Sequence, residues 1–193
     1  LRNYLKHTLA FSILVPIGTI THELGHFLCA LFYRTNVVLH FDYVTFEKNG
    51  VEAINDFSEL LIWLAGPVVT LFIGLIGLIF LQSQKARYLW LGIFLTLFFS
   101  RFLFNLLAHL SFFLSGRIDR PYGGDEYYIS NYLNLPSGAL SLLLGIIGFA
   151  ACFYTCWFKV PRKLLPKFII SALVGIPIGY LIWFVWLGPF LLP

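Results

Sequence analysis

Phe11-Ser12-Ile13-Leu14-Val15-Pro16-Ile17-Gly18-Thr19-Ile20-Thr21-His22-Glu23-Leu24-Gly25-His26-Phe27-Leu28-Cys29-Ala30-Leu31-Phe32 is the stretch on which the fold turns. It belongs to an apolar run from Thr8 to Tyr33, long enough as a helix to cross a hydrocarbon core of about 30 Å. Yet it holds two histidines and a glutamate within five residues. Ionisable side chains at that depth are costly and are retained where they face a partner or a polar cavity.

Four more runs of this kind follow, at approximately Leu60–Leu81, Tyr88–Leu114, Ala139–Phe158 and Phe168–Leu187. The last extends or breaks near Gly188-Pro189. Charged residues make up 11% of the 193, against about a quarter in soluble domains, so the solvent is read as a bilayer. The fold class is an all-α integral membrane bundle of about five transmembrane helices, with a short β-hairpin between the first and second. No polar stretch is long enough for a second domain, so residues 1–193 form a single membrane-embedded domain. The first run lacks a small-residue cleavage site and is read as a retained span, not a signal peptide. The absence of Met, with Leu1 first, suggests a processed or trimmed N-terminus.

The hairpin is expected in the first long connection, over Val37–Ile54. There β-branched and aromatic residues flank a turn at Lys48-Asn49-Gly50. Its roles are a cap on the bundle or an edge strand pairing with an extended peptide. The second connection, Ser115–Ser137, reads as a structured or re-entrant loop. Gly66, Thr70 and Gly74, and again Gly175 and Gly179, form small-residue rows suited to close helix packing. Pro16 and Pro177 are expected to kink their helices. Trp63, Trp90, Trp157, Trp183 and Trp186 fall near run ends, as interfacial anchors do. Cys29, Cys152 and Cys156 read as small buried residues without a disulfide framework.

The basic residues cluster at run ends, which suits lipid headgroups and excludes a nucleic-acid stripe. Arg2, Lys6, Lys85, Arg87, Lys159, Arg162, Lys163 and Lys167 collect on the N-terminal side. Arg34, Lys48, Arg117 and Arg120 collect on the other. Eight against four favours a cytoplasmic N-terminus.

His22 and His26, four apart, stack on one helix face and reach one metal ion. Imidazole suits Zn²⁺, and a catalytic site keeps one position for water. Glu23 beside the first ligand is placed to take a proton from that water. A third ligand is required. Asp125, in Pro121-Tyr122-Gly123-Gly124-Asp125-Glu126, is the choice, with Asp119, Glu126 and His109 as rivals. Arg101, Asn105 and His109 line one face of the third span. They read as an interhelical polar stripe or as a wall contacting substrate.

With Leu64-Ala65-Gly66-Pro67 heading the second span, the His22-Glu23-Leu24-Gly25-His26 motif resembles the site-2 protease family of intramembrane zinc metalloproteases. Phe104-Asn105-Leu106-Leu107 followed by Gly124-Asp125 is similar to that family's third motif, which supplies the remaining ligand. The likeness covers roughly Thr8 to Leu135. It implies zinc held by His22, His26 and Asp125, Glu23 as the catalytic base, and substrate contacts at Asn105 and Thr70. The implied partner is a transmembrane helix of a membrane-protein substrate within the bilayer. The sequence departs from the family pattern in three ways. Thr70 stands where the family usually has Asn, Asp125 is followed by Glu126 and not Gly, and no PDZ-like domain is read among the 193 residues. The family tends to place zinc nearer the cytosolic face, whereas the charge count places it toward the opposite face, so orientation stays open. Two other functions fit the same motif: a membrane metal-binding or transport protein, and an inactive homologue serving as a helix-binding scaffold.

Overall fold

The computed structural model describes residues 2–33, 35–47, 56–83, 85–115, 124–136 and 138–192. In chain order these form α1 (Arg2–Phe32), β1 (Asn36–Leu39), β2 (Val44–Glu47), α2 (Asp56–Phe80), α3 (Ala86–Thr96), α4 (Ser100–Leu114), α5 (Asp125–Tyr132), α6 (Ala139–Tyr154), α7 (Leu165–Tyr180) and α8 (Gly188–Leu191). A tight 3-10 turn, Leu97–Phe99, joins α3 to α4 as one long rod. Wider π turns extend α6 over Thr155–Lys159 and join α7 to α8 over Leu181–Leu187. Among the described residues, five helices are long and apolar enough to cross a membrane: Tyr4–Phe32, Phe57–Phe80, Ala86–Leu114, Ala139–Lys159 and Leu165–Leu191. Their outward faces carry large exposed apolar side chains such as Phe72, Leu173 and Trp186, as expected where the surrounding solvent is hydrocarbon.

The bundle is built around α1, which packs chiefly against α7 and α2, while α3 lies on α2 and α6 on α4. Small residues make the closest approaches. A Cβ on Gly175 would stand 2.5 Å from the Thr8 carbonyl oxygen, and one on Gly179 2.5 Å from that of Ser12. The Ser12 hydroxyl donates across this seam to the Gly175 carbonyl at 2.9 Å. A Cβ on Gly25 would stand 2.7 Å from the Ala65 carbonyl oxygen of α2. Two apolar clusters fill the remaining space. One gathers Phe11, Leu14, Ile93, Leu97 and Phe168, and the other Phe99, Phe102 and Leu144. Helices α1 and α7 both run on through Pro16 and Pro177 without ending there.

The hairpin is present but turns earlier than Asn49-Gly50. Asn36–Leu39 pairs antiparallel with Val44–Glu47, so the turn is His40-Phe41-Asp42-Tyr43. The His40 amide donates to the Tyr43 carbonyl at 2.9 Å, and the two rings stack at 4.2 Å. The segment read as the turn and second strand, 48–54, lies outside the described residues. Trp183 is not an interfacial anchor. It is 2% exposed, and its indole N–H donates to the Phe41 carbonyl at 3.0 Å. The Phe41 amide donates in turn to the Leu192 carbonyl at 3.1 Å. The end of the fifth span is thus fastened to the tip of the hairpin.

Candidate metal centre

His22 and His26 project from one face of α1 and are buried, with 0% and 3% exposure. Their Nε2 atoms stand 3.2 Å apart. Asp125, the first residue of α5, brings Oδ2 to 2.7 Å from His22 Nε2 and 3.3 Å from His26 Nε2. Among the described residues these three form the one group of His, Cys, Asp or Glu close enough together to hold a metal ion. Of the rivals for the third place, Glu126 turns to Asn105, whose amide Nδ2 donates to its Oε1 at 2.9 Å. His109 lies against Gly138, where a Cβ would strike its ring. Gly138 has φ +83°, a left-handed conformation that favours glycine. Asp119 lies outside the described residues. Gly124, which caps α5, has φ −83°, so Asp125 is aimed by ordinary extended backbone and not by a glycine-only turn.

The far nitrogens orient the rings. His26 Nδ1 meets the Ile62 carbonyl at 2.7 Å. A carbonyl only accepts, so the proton is on Nδ1 and, in the neutral ring, Nε2 presents a lone pair. His22 Nδ1 meets the Thr70 hydroxyl at 2.9 Å, the kind of outer contact that fixes a ligand's tautomer and orientation. A lone pair on His26 Nε2 therefore faces a carboxylate oxygen. A proton on His22 Nε2, which lies 2.7 Å from that oxygen and 3.2 Å from His26 Nε2, or a metal ion held by all three, relieves this opposition.

Zinc is a fit for this donor set. Tetrahedral ligands at about 2.0–2.1 Å stand roughly 3.3–3.4 Å from one another. The 3.2 and 3.3 Å pairs match this spacing, and the 2.7 Å pair opens by about 0.6 Å to join them. Gly66 of α2 leaves the room, since a Cβ there would stand 2.7 Å from His22 Nε2 and 2.6 Å from His26 Cε1.

Asp125 and Glu126, neighbours on α5, are pushed in opposite directions. Burial alone would raise the Asp125 carboxyl, but the two imidazoles outweigh it and hold the group well below the usual carboxylate range. Burial raises Glu126, and the adjacent Asp125 charge raises it further, against the Asn105 hydrogen bond. Glu126 is 1% exposed, and its Oε2 has no hydrogen-bond partner.

Beside the cluster opens a cleft of about 370 Å³, bordered by Glu23, His26, Asp125, Arg101, Asn105 and the hairpin. Glu23 is 4% exposed, and Arg101 Nη2 donates to its Oε1 at 3.3 Å. Asn105, one turn along α4, lines the cleft as well. Thr70 does not reach the cleft. It is 2% exposed and lies behind His22, so its position is that of a ligand's support.

Several contributors escaped the sequence reading. The pairing of Arg101 with Glu23 joins residues 78 apart, with no local pattern to signal it. Trp63 stacks on Tyr128 at 4.4 Å and meets the His26 ring edge-on, walling the cleft. Its place near a run end suggested an anchor instead. The Ile62 carbonyl is main chain and carries no residue signature. No family model, no curated protein and no solved structure matches this chain.

Proposed function

We propose that the chain is a multi-pass membrane zinc metalloendopeptidase of the site-2 protease type. It hydrolyses peptide bonds within or next to transmembrane segments of membrane-protein substrates. One observation carries this reading: His22, His26 and Asp125 converge beside Glu23 at a cleft inside a bundle of membrane-length helices. His22 Nε2, His26 Nε2 and Asp125 Oδ2 are the atoms that would hold the metal. Zinc bound there supplies Lewis acidity toward a carbonyl oxygen and toward a water.

The rest is work for the chain's own side chains. Glu23 accepts a proton from the attacking water as the water oxygen bonds to the scissile carbon. It then delivers that proton to the amide nitrogen as the C–N bond breaks. Arg101 holds one Glu23 oxygen at 3.3 Å and so orients the carboxylate. The polar border of the cleft admits water, while the spans around it exclude lipid.

Glu23→Gln keeps the shape and removes the base. In proteoliposomes carrying a transmembrane substrate, it is expected to retain zinc while cleavage falls by about 10²–10⁴-fold. Cleavage at the parent rate refutes the mechanism. The metal-transport reading calls for further donors along the spans, and the described residues hold no second metal-binding group.

A further inference from the structure

The opposite end of the bundle is chemically distinct from the metal centre. Segments 2–7, 81–83, 85–87 and 159–167 emerge there, and they hold Arg2, Lys6, Lys85, Arg87, Lys159, Arg162, Lys163 and Lys167 with no acid. Each of the nine acids lies in the first span, in 42–59 or in 119–126. Helices α1, α3 and α7 all begin at this end, so three positive helix termini add to the side-chain charge.

Between these three helix ends lies a groove of about 190 Å³, lined by His7, Ala10, Phe11, Trp90, Phe94 and Phe168 among others. The lining is almost wholly apolar. Its polar exception is His7, whose ring stacks on Trp90 at 5.6 Å and meets Phe168 edge-on at 5.8 Å. The His7 Nδ1 atom is buried and has no hydrogen-bond partner. A cation stands beside a groove residue on each helix. Lys6 precedes His7, Lys167 precedes Phe168, and Arg87 is one turn before Trp90. All three are exposed. Lys167 lies over the Tyr4 ring at 5.7 Å and Arg87 over Tyr88 at 5.0 Å, tyrosine–cation pairs of the kind found at headgroup level.

An apolar slot at a basic end of the bundle, with an exposed cation close in sequence to a lining residue on each of three helices, matches one class of occupant. We propose that this groove binds a phospholipid with an anionic headgroup, one acyl chain lying in the slot and the phosphate at its mouth. Basic pockets between spans take such headgroups. A zwitterionic lipid brings its own cation to the rim and loses the advantage. The site is independent of the protease reading, since it shares no residue with the metal centre.

The test uses the full chain, purified in a nonionic detergent and stripped of lipid. Phosphatidylglycerol and phosphatidylcholine with the same acyl chains are added in parallel, and inorganic phosphate in a third series. Bound lipid is read by native mass spectrometry and melting temperature by intrinsic fluorescence. The parent is expected to retain one phosphatidylglycerol in preference to phosphatidylcholine by on the order of a hundredfold, about fivefold for each of three cations. The triple variant Lys6→Gln, Arg87→Gln, Lys167→Gln loses that preference. Lys159→Gln with Arg162→Gln, at cations lying over Tyr154 and Trp157 instead, keeps it. Ala10→Leu fills the slot and weakens retention with every cation in place, so the proposal stays testable if the triple variant does not fold.

Equal retention of both lipids by the parent overturns the proposal. So does equal loss in the two charge variants, which would make the attraction diffuse. An unchanged Ala10→Leu, or the same thermal shift from inorganic phosphate alone, overturns the acyl-chain part and with it the site.

Discussion

Gly66→Ala adds one methyl group to the wall of the metal centre. Ordinary contact begins near 3.4 Å, and this Cβ would stand 2.7 Å from His22 Nε2 and 2.6 Å from His26 Cε1, with His26 Nε2 closer still. The rings must therefore retreat by about 0.7 Å or more. Metal–ligand distances hold to within about 0.2 Å, so the required movement is more than three times the tolerance. His26 Nδ1 is tied to Ile62 and His22 Nδ1 to Thr70, which leaves little freedom to rotate away. We expect zinc affinity to fall by at least about 100-fold, beyond most losses from outer-contact mutations. Overpacking itself costs about 1–3 kcal/mol, so the fold survives in a measurable state. The assay is competition for zinc against a chromophoric chelator in detergent, with melting temperature recorded on the same preparations. Gly18→Ala is the matched control, because nothing lies within 4 Å of its Cβ. It is expected to bind zinc as the parent does and to gain about 0.5–1 kcal/mol from the helix interior. A folded Gly66→Ala protein with parental zinc affinity refutes the assignment of these atoms as the metal donors.

Two further outcomes are expected. Thr70→Val keeps the side-chain shape and removes the hydroxyl at His22 Nδ1, so zinc affinity is expected to fall about 10–100-fold, with Thr70→Ser close to the parent. Equal affinities for Val and Ser would remove Thr70 from the orientation of His22. Glu126, in protein stripped of metal by a chelator, has a folded pKa raised above its unfolded value. Its contribution to stability is complete at pH values below the unfolded pKa and is lost as pH rises through the folded one. Glu126→Gln removes that loss, so its melting temperature is expected to exceed the parent's at pH 8 and to converge with it in acid. Parallel pH curves for the two proteins count against a buried carboxyl here.

The spans were legible because bilayer-crossing helices leave long apolar runs, and the observed bounds fall within a few residues of those runs at most ends. His22 and His26 were legible because a helix repeats its face every three to four residues. Asp125 was the choice among several acids and His109, and the family resemblance strengthened it, since a loop acid carries no periodicity of its own. The hairpin's register was misread for an identifiable reason. Asn49-Gly50 is a strong turn signal, but the ring stack and amide closure between His40 and Tyr43 fix the turn earlier. The family pattern puts Thr70 against substrate, whereas the packing of α2 on α1 sets it behind the His22 ring. Contacts such as Arg101 to Glu23, or His26 to a main-chain carbonyl, exist only after the helices have packed.

The residues of the candidate metal centre lie far apart along the chain: His26 is on the first span, and Asp125 comes 99 residues later, after the third. A ribosome adding about 5–20 residues per second needs roughly 5–20 s to cover that interval. Throughout it the nascent protein holds a pair of imidazoles and a glutamate but no third donor. On the proposed function, the site is assembled only after three helices have entered the membrane. On that reading the order of synthesis delays the complete site until the first three spans have been made.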